Sequence, residues 1–477
     1  MSDHHHLPPE LVLEVFKCLQ KPALMVAATT SRTFCALARP LLFSDIEFVP
    51  YHYGTDAAPA HRVIYVDATL TQLTGTAAAD FLAKLDFCTS PDIAPLVRCL
   101  SINAVSSTQH PLLATNVYFS VPFVGRDVHD IVLRHILPRL HRRTGISRLD
   151  GHPGLDLTLV GITMHDRLAI ANLPLQPRSL RLSTVQLFNE SEGARYWLAL
   201  LDPDVLHRLE IDDFRLEAAD SIPIFPKVVD LRLDVSACAY ITAAVPKFPN
   251  VERATLNSAV RVNMGPLVMP KRPPFPRLTE FVGKLTFLAA FVPGTSTVHL
   301  QTTFPPTSPT EVMQAFGTDG PPASLRSWSL VVVFDGADDR AALATLLAQC
   351  PNLEALDLHL QTIVTPWWNV LPDIFAFISS LPSIVSPSLR AIKLFCTMVT
   401  MPGDDFQLPE AGHYPLFNTT ALRDQLLRSC PNMDRIEFRT NTFYLFWKAL
   451  GGGDAETQSE SWDLLDRQEF IRQMPVF

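Results

Sequence analysis

The chain of 477 residues is 47% hydrophobic and 18% charged, against a usual charged share of about 25%, which excludes wholesale disorder and leaves room for several domains or one repeat array. It carries 40 Pro against 19 Gly, so few positions take positive φ or let a phosphate approach the backbone, and nucleotide-cradling α/β folds are disfavoured. With 39 basic and 48 acidic residues the net charge is −9, which argues against nucleic acid as a partner.

Taken in chain order, His4, His5 and His6 come first. Three adjacent histidines cannot all point at one ion, so no metal site is expected there. The segment L-P-P-E-L-V-L-E-V-F-K-C-L, Leu7 to Leu19, predicts a helix. Leu7, Leu11, Val15 and Leu19 recur every four residues with Val12 and Phe16 beside them, one wide apolar stripe. Pro8 and Pro9 suit the first turn and Glu10 the positive end of the helix dipole. Lys21-Pro22 opens a second helix with Leu24, Met25, Ala27 and Ala28. Ser31 is the expected cap of a third, with Phe34, Leu37 and Ala38, closed by Pro40. Ile46 and Phe48 then begin a strand. Three helices this short make no stable core unaided, so their stripes must meet a partner or the domain that follows.

These residues resemble the F-box as found in fungal F-box proteins. The resemblance is carried by Leu7-Pro8 with Glu10 and Leu11, by Val15-Phe16 and Leu24, by Ser31-Arg32 and Phe34 (where the family often has Trp), and by Ala38-x-Pro40-Leu41-Leu42-Phe43. It implies docking onto a Skp-type adaptor and, through it, a cullin ubiquitin ligase. The implied contact and packing set is Leu7, Pro8, Leu11, Val15, Phe16, Leu24 and Phe34. An ordinary helical cap on a larger domain is the alternative.

Further along, Arg134, Arg139, His141, Arg142, Arg143 and Arg148 form a basic cluster that reads as a solvated helix end. Beyond it a local pattern recurs: C-P-N-L-E-A-L-D-L from Cys350, C-P-N-M-D-R-I-E-F from Cys430 and F-P-N-V-E-R-A-T-L from Phe248. Each has Pro followed by apolar residues in the spacing L-x-x-L-x-L. The same register starts at Pro95, Pro226 and Pro387, with looser copies at Pro276 and Pro293. Copies without proline run through Leu206, Leu209 and Ile211, and through Leu325, Trp328 and Leu330. L-x-x-L-x-L is the core of a leucine-rich repeat. Its last two positions face one side of a short strand, and the first turns in from the loop. Helical stretches at Asp338 to Gln349 and Thr420 to Ser429 run into Cys-Pro, a normal helix stop. Only Asn441 stands where such repeats place their ladder of buried amides. The array is therefore irregular, and Gly265 to Pro276 and Gln301 to Pro322 read as stiff Pro-rich inserts. After Gly451-Gly452-Gly453, a terminal segment with Trp462, Leu465, Phe470 and Ile471 is expected to cap the stack.

No catalytic arrangement stands out: G-x-S-x-G, H-E-x-x-H and the phosphate-binding glycine motifs are absent from the sequence. The eight cysteines form no C-x-x-C pair, which fits structural thiols in a reducing compartment. Cys350 and Cys430 occupy equivalent positions, as small buried thiols would. Asp212-Asp213 and Asp338-Asp339 are paired acids expected to be solvated or capping. Trp367 and Trp368 after Pro366 are the candidate anchor for a protein target. The polar amino terminus and the lack of a long apolar run lead us to expect neither a leader nor a membrane partner.

The expected class is α/β: a three-helix F-box over residues 1–48, an irregular leucine-rich-repeat-like solenoid of short parallel strands and helices over 49–450, and a Gly hinge with a capping helix over 451–477. The expected function is that of a non-catalytic substrate receptor without cofactor or metal, in the cytoplasm, the nucleus or both. The alternative is an interaction scaffold whose F-box-like segment is only a structural cap.

Overall fold

The computed structural model describes residues 7–48, 83, 87, 90, 92–93, 96–103, 155–160, 177–183, 198–199, 201–214, 222–235, 241, 244–257, 274–303, 305–362, 370–398, 417–440, 443–449 and 455–461. The chain forms two compact units, Met1–Phe248 with Ala259–Met264, and Pro249–Ser258 with Gly265–Phe477. Trp367, Trp368, Asn441, the basic cluster around Arg139, the triple glycine and the apolar positions from Trp462 to Ile471 lie outside the described residues.

The first unit opens with helices α1 (Pro9–Lys17), α2 (Lys21–Thr30) and α3 (Arg32–Phe43). Ser31 caps α3 as expected, its hydroxyl accepting from Phe34 N at 3.1 Å. Pro40 does not end that helix. It lies inside it, and the helix runs on to Phe43 because Leu41 and Leu42 pack against the helical core, an apolar gain that offsets the missing N–H bond.

Six described strands follow in chain order: β1 (Asp45–Phe48), β2 (Cys99–Asn103), β3 (Leu155–Val160), β4 (Pro177–Ser183), β5 (Arg208–Phe214) and β6 (Asp230–Val235). Each pairs in parallel with the next. Ser44 O accepts from both Arg98 N and Cys99 N, which joins the end of α3 to the start of this sheet.

In the second unit β7 (Arg253–Asn257), β8 (Glu280–Gly283), β9 (His299–Thr302), β10 (Ser327–Val333), β11 (Ala355–Thr362), β12 (Ala391–Met398) and β13 (Arg435–Arg439) are again parallel and sequential. Five described helices intervene or precede: α4 (Leu285–Phe291), α5 (Pro309–Phe316), α6 (Ala337–Ala348), α7 (Leu371–Ile384) and α8 (Thr419–Ser429).

The recurring sequence pattern has a direct backbone counterpart. In Phe225-Pro-Lys-Val228, Phe275-Pro-Arg-Leu278, Cys350-Pro-Asn-Leu353, Ser386-Pro-Ser-Leu389 and Cys430-Pro-Asn-Met433, the first carbonyl accepts from the fourth N–H at 3.0–3.4 Å. Proline therefore sits second in a four-residue turn, where its fixed φ is pre-set and its missing donor is not needed. The fourth residue is buried, and the strand starts two residues later. There the carbonyl preceding each strand takes two donors from the next: Glu354 O from Arg390 N and Ala391 N, Arg390 O from Asp434 N and Arg435 N. Burial alternates along β10, and in register Leu356, Ile392 and Ile436 form one buried row and Leu358, Leu394 and Phe438 the next. Leu343, Leu347, Phe377, Ile378, Leu422 and Leu426 of α6, α7 and α8 are buried as well.

Three expectations need correction. The copy at Pro293 is out of step: Val292 to Thr295 close its turn, and the buried inward position is Thr297, two residues beyond Thr295, because β9 begins only at His299. The stretch Gln301 to Pro322, expected as a stiff Pro-rich insert, contains a helix. Ser308 and Glu311 form a reciprocal capping box, with Pro309 in the first turn, and α5 buries Val312 and Phe316. The parallel series also ends differently, since β14 (Phe443–Ala449) and β15 (Ala455–Ser461) are antiparallel. Residues 455–461 thus form a strand where a capping helix was expected. The alternating F-Y-L-F-W-K-A of β14 has a period of two, which suits a hairpin, and Thr440 Oγ1 receives Phe443 N at 2.9 Å to set its turn.

Candidate functional site

The amino-terminal helices separate two sets of apolar residues. Val12 and Phe16 of α1, Leu24 of α2 and Ala38 of α3 are buried, with Leu19, Ala27, Ala28, Phe34, Leu37, Leu41 and Leu42 packed around them. Phe16 and Phe34 meet edge to face with centroids 5.3 Å apart, a favoured aromatic geometry. Leu7, Leu11 and Val15 point the other way and are 65%, 53% and 55% exposed. The single wide stripe read from the sequence is therefore two: Val12, Phe16 and Leu19 face the core, while Leu11 and Val15, one residue earlier at each step, face outward. Pro8 is exposed beside them.

Of the seven residues implied by the resemblance, four are exposed (Leu7, Pro8, Leu11, Val15), two are buried (Phe16, Leu24) and Phe34 is half-buried. Two exposed apolar residues stand outside that set, Met25 at 62%, grouped in the sequence with the apolar positions of the second helix, and Val26 at 67%. The signal for them was phase. Leu24, Ala27 and Ala28 turn inward at helical spacing, so the positions between must turn outward. Five exposed apolar side chains on a domain whose small core is already complete have no structural use within it, and covering each of the larger ones is worth about 1.5–3 kcal/mol.

The domain is tied down at its far end. Lys21 Nζ donates to Asp45 O at 2.8 Å and Ser44 Oγ donates to Asp45. The Ser44 hydroxyl, with help from Cys99, Lys21 and Arg98, holds the Asp45 carboxyl below its usual pKa against a smaller effect of burial. The Lys17–Glu14 pair at 2.6 Å is exposed and contributes little.

The outward side of the strands is polar in both units. In the first, Arg181–Glu210 at 3.2 Å, Arg208–Glu210 at 3.5 Å, Arg208–Asp230 at 3.7 Å and Arg232–Asp230 at 3.6 Å form a network of three arginines on two carboxylates. In the second, three rows cross the strands in register: Ser327, Ala355, Ala391, Arg435, Lys448; then Ser329, Asp357, Lys393, Glu437, Phe446; then Val331, His359, Phe395, Arg439, Tyr444. Glu437 is almost fully covered and receives Arg435 at 2.6 Å and Arg439 at 3.1 Å. The Arg439 guanidinium lies 5.8 Å from the Phe395 ring centre and 5.6 Å from that of Tyr444, and Arg435 lies 5.7 Å from Phe446. His359 meets Phe395 edge-on and hydrogen-bonds Thr397 at 2.7 Å, and burial lowers its pKa.

Cys350 and Cys430 are buried at equivalent turns, their thiols directed at Leu346 O and Ser386 O. Burial pushes the Cys350 thiol up to about 12, which suppresses the thiolate. Asp339 accepts from Asp335 N at 2.8 Å ahead of α6, a capping use of that acid pair. Among the described residues no group of His, Cys, Asp and Glu is arranged to hold a metal, and no helix is long and apolar enough to cross a membrane.

Comparison with known proteins agrees with the helical geometry. The F-box-like family model matches residues 4–48, so an F-box-like domain occupies the amino terminus, ahead of a large sheet of mostly parallel strands. No curated protein matches the chain.

Proposed function

We propose that this chain is the substrate-recognition subunit of a Skp–cullin–F-box type ubiquitin ligase, acting without catalytic groups of its own. The F-box-like domain takes a Skp-type adaptor and, through it, the cullin. The parallel-strand region, read as an irregular leucine-rich-repeat array, holds the protein target so that ubiquitin transfer follows from proximity. Its place of action is the cytoplasm, the nucleus or both. The observation that carries this reading is the exposure of Leu7, Leu11 and Val15 on one side of α1, beside a core that does not use them. A helical cap serving only its own chain would turn that stripe inward.

The test is co-purification of the full chain with a Skp-type adaptor. Wild type is expected to form a stoichiometric complex. Leu11→Asp with Val15→Asp is expected to lose it while keeping the wild-type thermal transition, since both positions are exposed. Absence of the wild-type complex, or its survival in the double variant, would favour a scaffold in which the segment is only a cap.

A further inference from the structure

The outward side of β10–β14 sets aromatic rings beside its ion pairs. Its first row is low, with Ser327, Ala355 and Ala391 in register. The third row is tall, with His359, Phe395, Arg439 and Tyr444 side by side across four strands. At about 4.8 Å per strand this makes a shelf long enough for an extended peptide of several residues. Along it, Lys393, Arg435, Arg439 and Lys448 stand against Asp357 and Glu437, with Glu456 of β15 opposite Lys448. With Glu460 of β15 opposite Tyr444, the opposite charges of the shelf balance.

The arginines are also held in place. Glu437 fixes one end of each guanidinium, and the flanking rings of Phe395, Tyr444 and Phe446 support their faces. Arg439 is nevertheless 60% exposed, so the rest of its planar fork is open to an acceptor. A guanidinium held this way loses little freedom when it meets a carboxylate, the geometry for which it is best matched.

We propose that this shelf binds an extended segment of the protein target, with a carboxylate side chain on Arg439 and Arg435 and an apolar side chain over Ala355 and Ala391. The inference rests on the receptor reading above and adds the chemical class of what is received. One fixed and exposed guanidinium in a field of otherwise balanced charges fits single carboxylates set among apolar residues. A phosphate, carrying nearly two charges, would be less well matched.

The experiment uses the full chain in complex with its adaptor and a short fluorescent peptide of alternating Glu and Val, with Gln–Val and phosphoserine–Val counterparts. Anisotropy is expected to show binding of the Glu peptide that weakens with salt and is not reproduced by the Gln peptide. Arg439→Ala should weaken it about tenfold or more, as loss of a central arginine contact does, and Lys393→Glu should weaken it as a companion variant should either fold poorly. The proposal is overturned by absence of Glu-peptide binding, by equal binding of the Gln peptide, by binding of the phosphoserine peptide alone, or by indifference to both substitutions. Adaptor content is measured in the same samples. Intact peptide binding by a chain that retains no adaptor would sink the ligase reading and leave this one standing.

Discussion

The amino-terminal helices and the strands of the second unit dispose of their apolar residues in opposite ways. In β10–β13 one side of each strand is apolar and covered, the other polar, charged or small. The few aromatic rings on the outward side, Phe395, Tyr444 and Phe446, are engaged by arginines. In α1 and α2 apolar residues occupy both sides: Val12, Phe16 and Leu24 turn in, while Leu11, Val15, Met25 and Val26 turn out. A strand with a polar outward side is content in water. A helix with two apolar sides is not, and its outward side is best explained by a partner. The two surfaces therefore suit different kinds of contact, the helical one driven by burial of apolar area and the sheet one directed by charge and hydrogen bonding.

The comparison is broken most directly by truncating one residue from each side of α1. Phe16→Ala, in the small core beside Phe34, should cost about 3–5 kcal/mol and melt the helical domain. Leu11→Ala should move stability by less than about 0.5 kcal/mol. Helical circular dichroism on heating reads both, and equal losses would show that α1 has only one working side.

An intermediate effect is expected at Gly283, where the strand pattern calls for a leucine. A Cβ there would stand 2.7 Å from Leu256 O and 2.9 Å from the Phe281 ring, because Phe281 fills the space that a leucine would take. Gly283→Ala should destabilise the second unit by about 1–3 kcal/mol, seen in the denaturation midpoint, whereas Gly317→Ala meets no neighbour and suffers only from its positive φ of 66°.

The smallest effect is electrostatic. The Asp45 pKa is lowered in the fold, so its contribution is complete above the ordinary carboxylate pKa and fades as pH falls through the folded value. Wild type should be slightly more stable than Asp45→Asn near neutral pH, and the difference should vanish in acid. A gap that persists at low pH would show that Asp45 acts by packing rather than by charge.

Much of the architecture was legible because local chemistry and tertiary packing agree. The turns with Pro second and an apolar residue fourth combine a residue that pre-sets φ with one that must be buried, and five of them close as that chemistry requires. The helices ahead of Cys350 and Cys430 were legible from period and stop signal. The capping box Ser308-Pro309-Thr310-Glu311 is equally explicit in the sequence, amid prolines that by themselves signal only stiffness. The displaced copy at Pro293 was not, since Thr297 carries no apolar signal and its burial depends on where β9 begins.

By itself the sequence determined the three-helix start, the proline turns and the inward rows of the strands, because each follows from a period, a cap or a fixed dihedral within a few residues. Only the tertiary structure decided which apolar side of α1 is spent on the core, and that the row from His359 to Tyr444 is continuous. Those facts depend on residues far apart in the chain arriving in one register, and no local rule sets that distance.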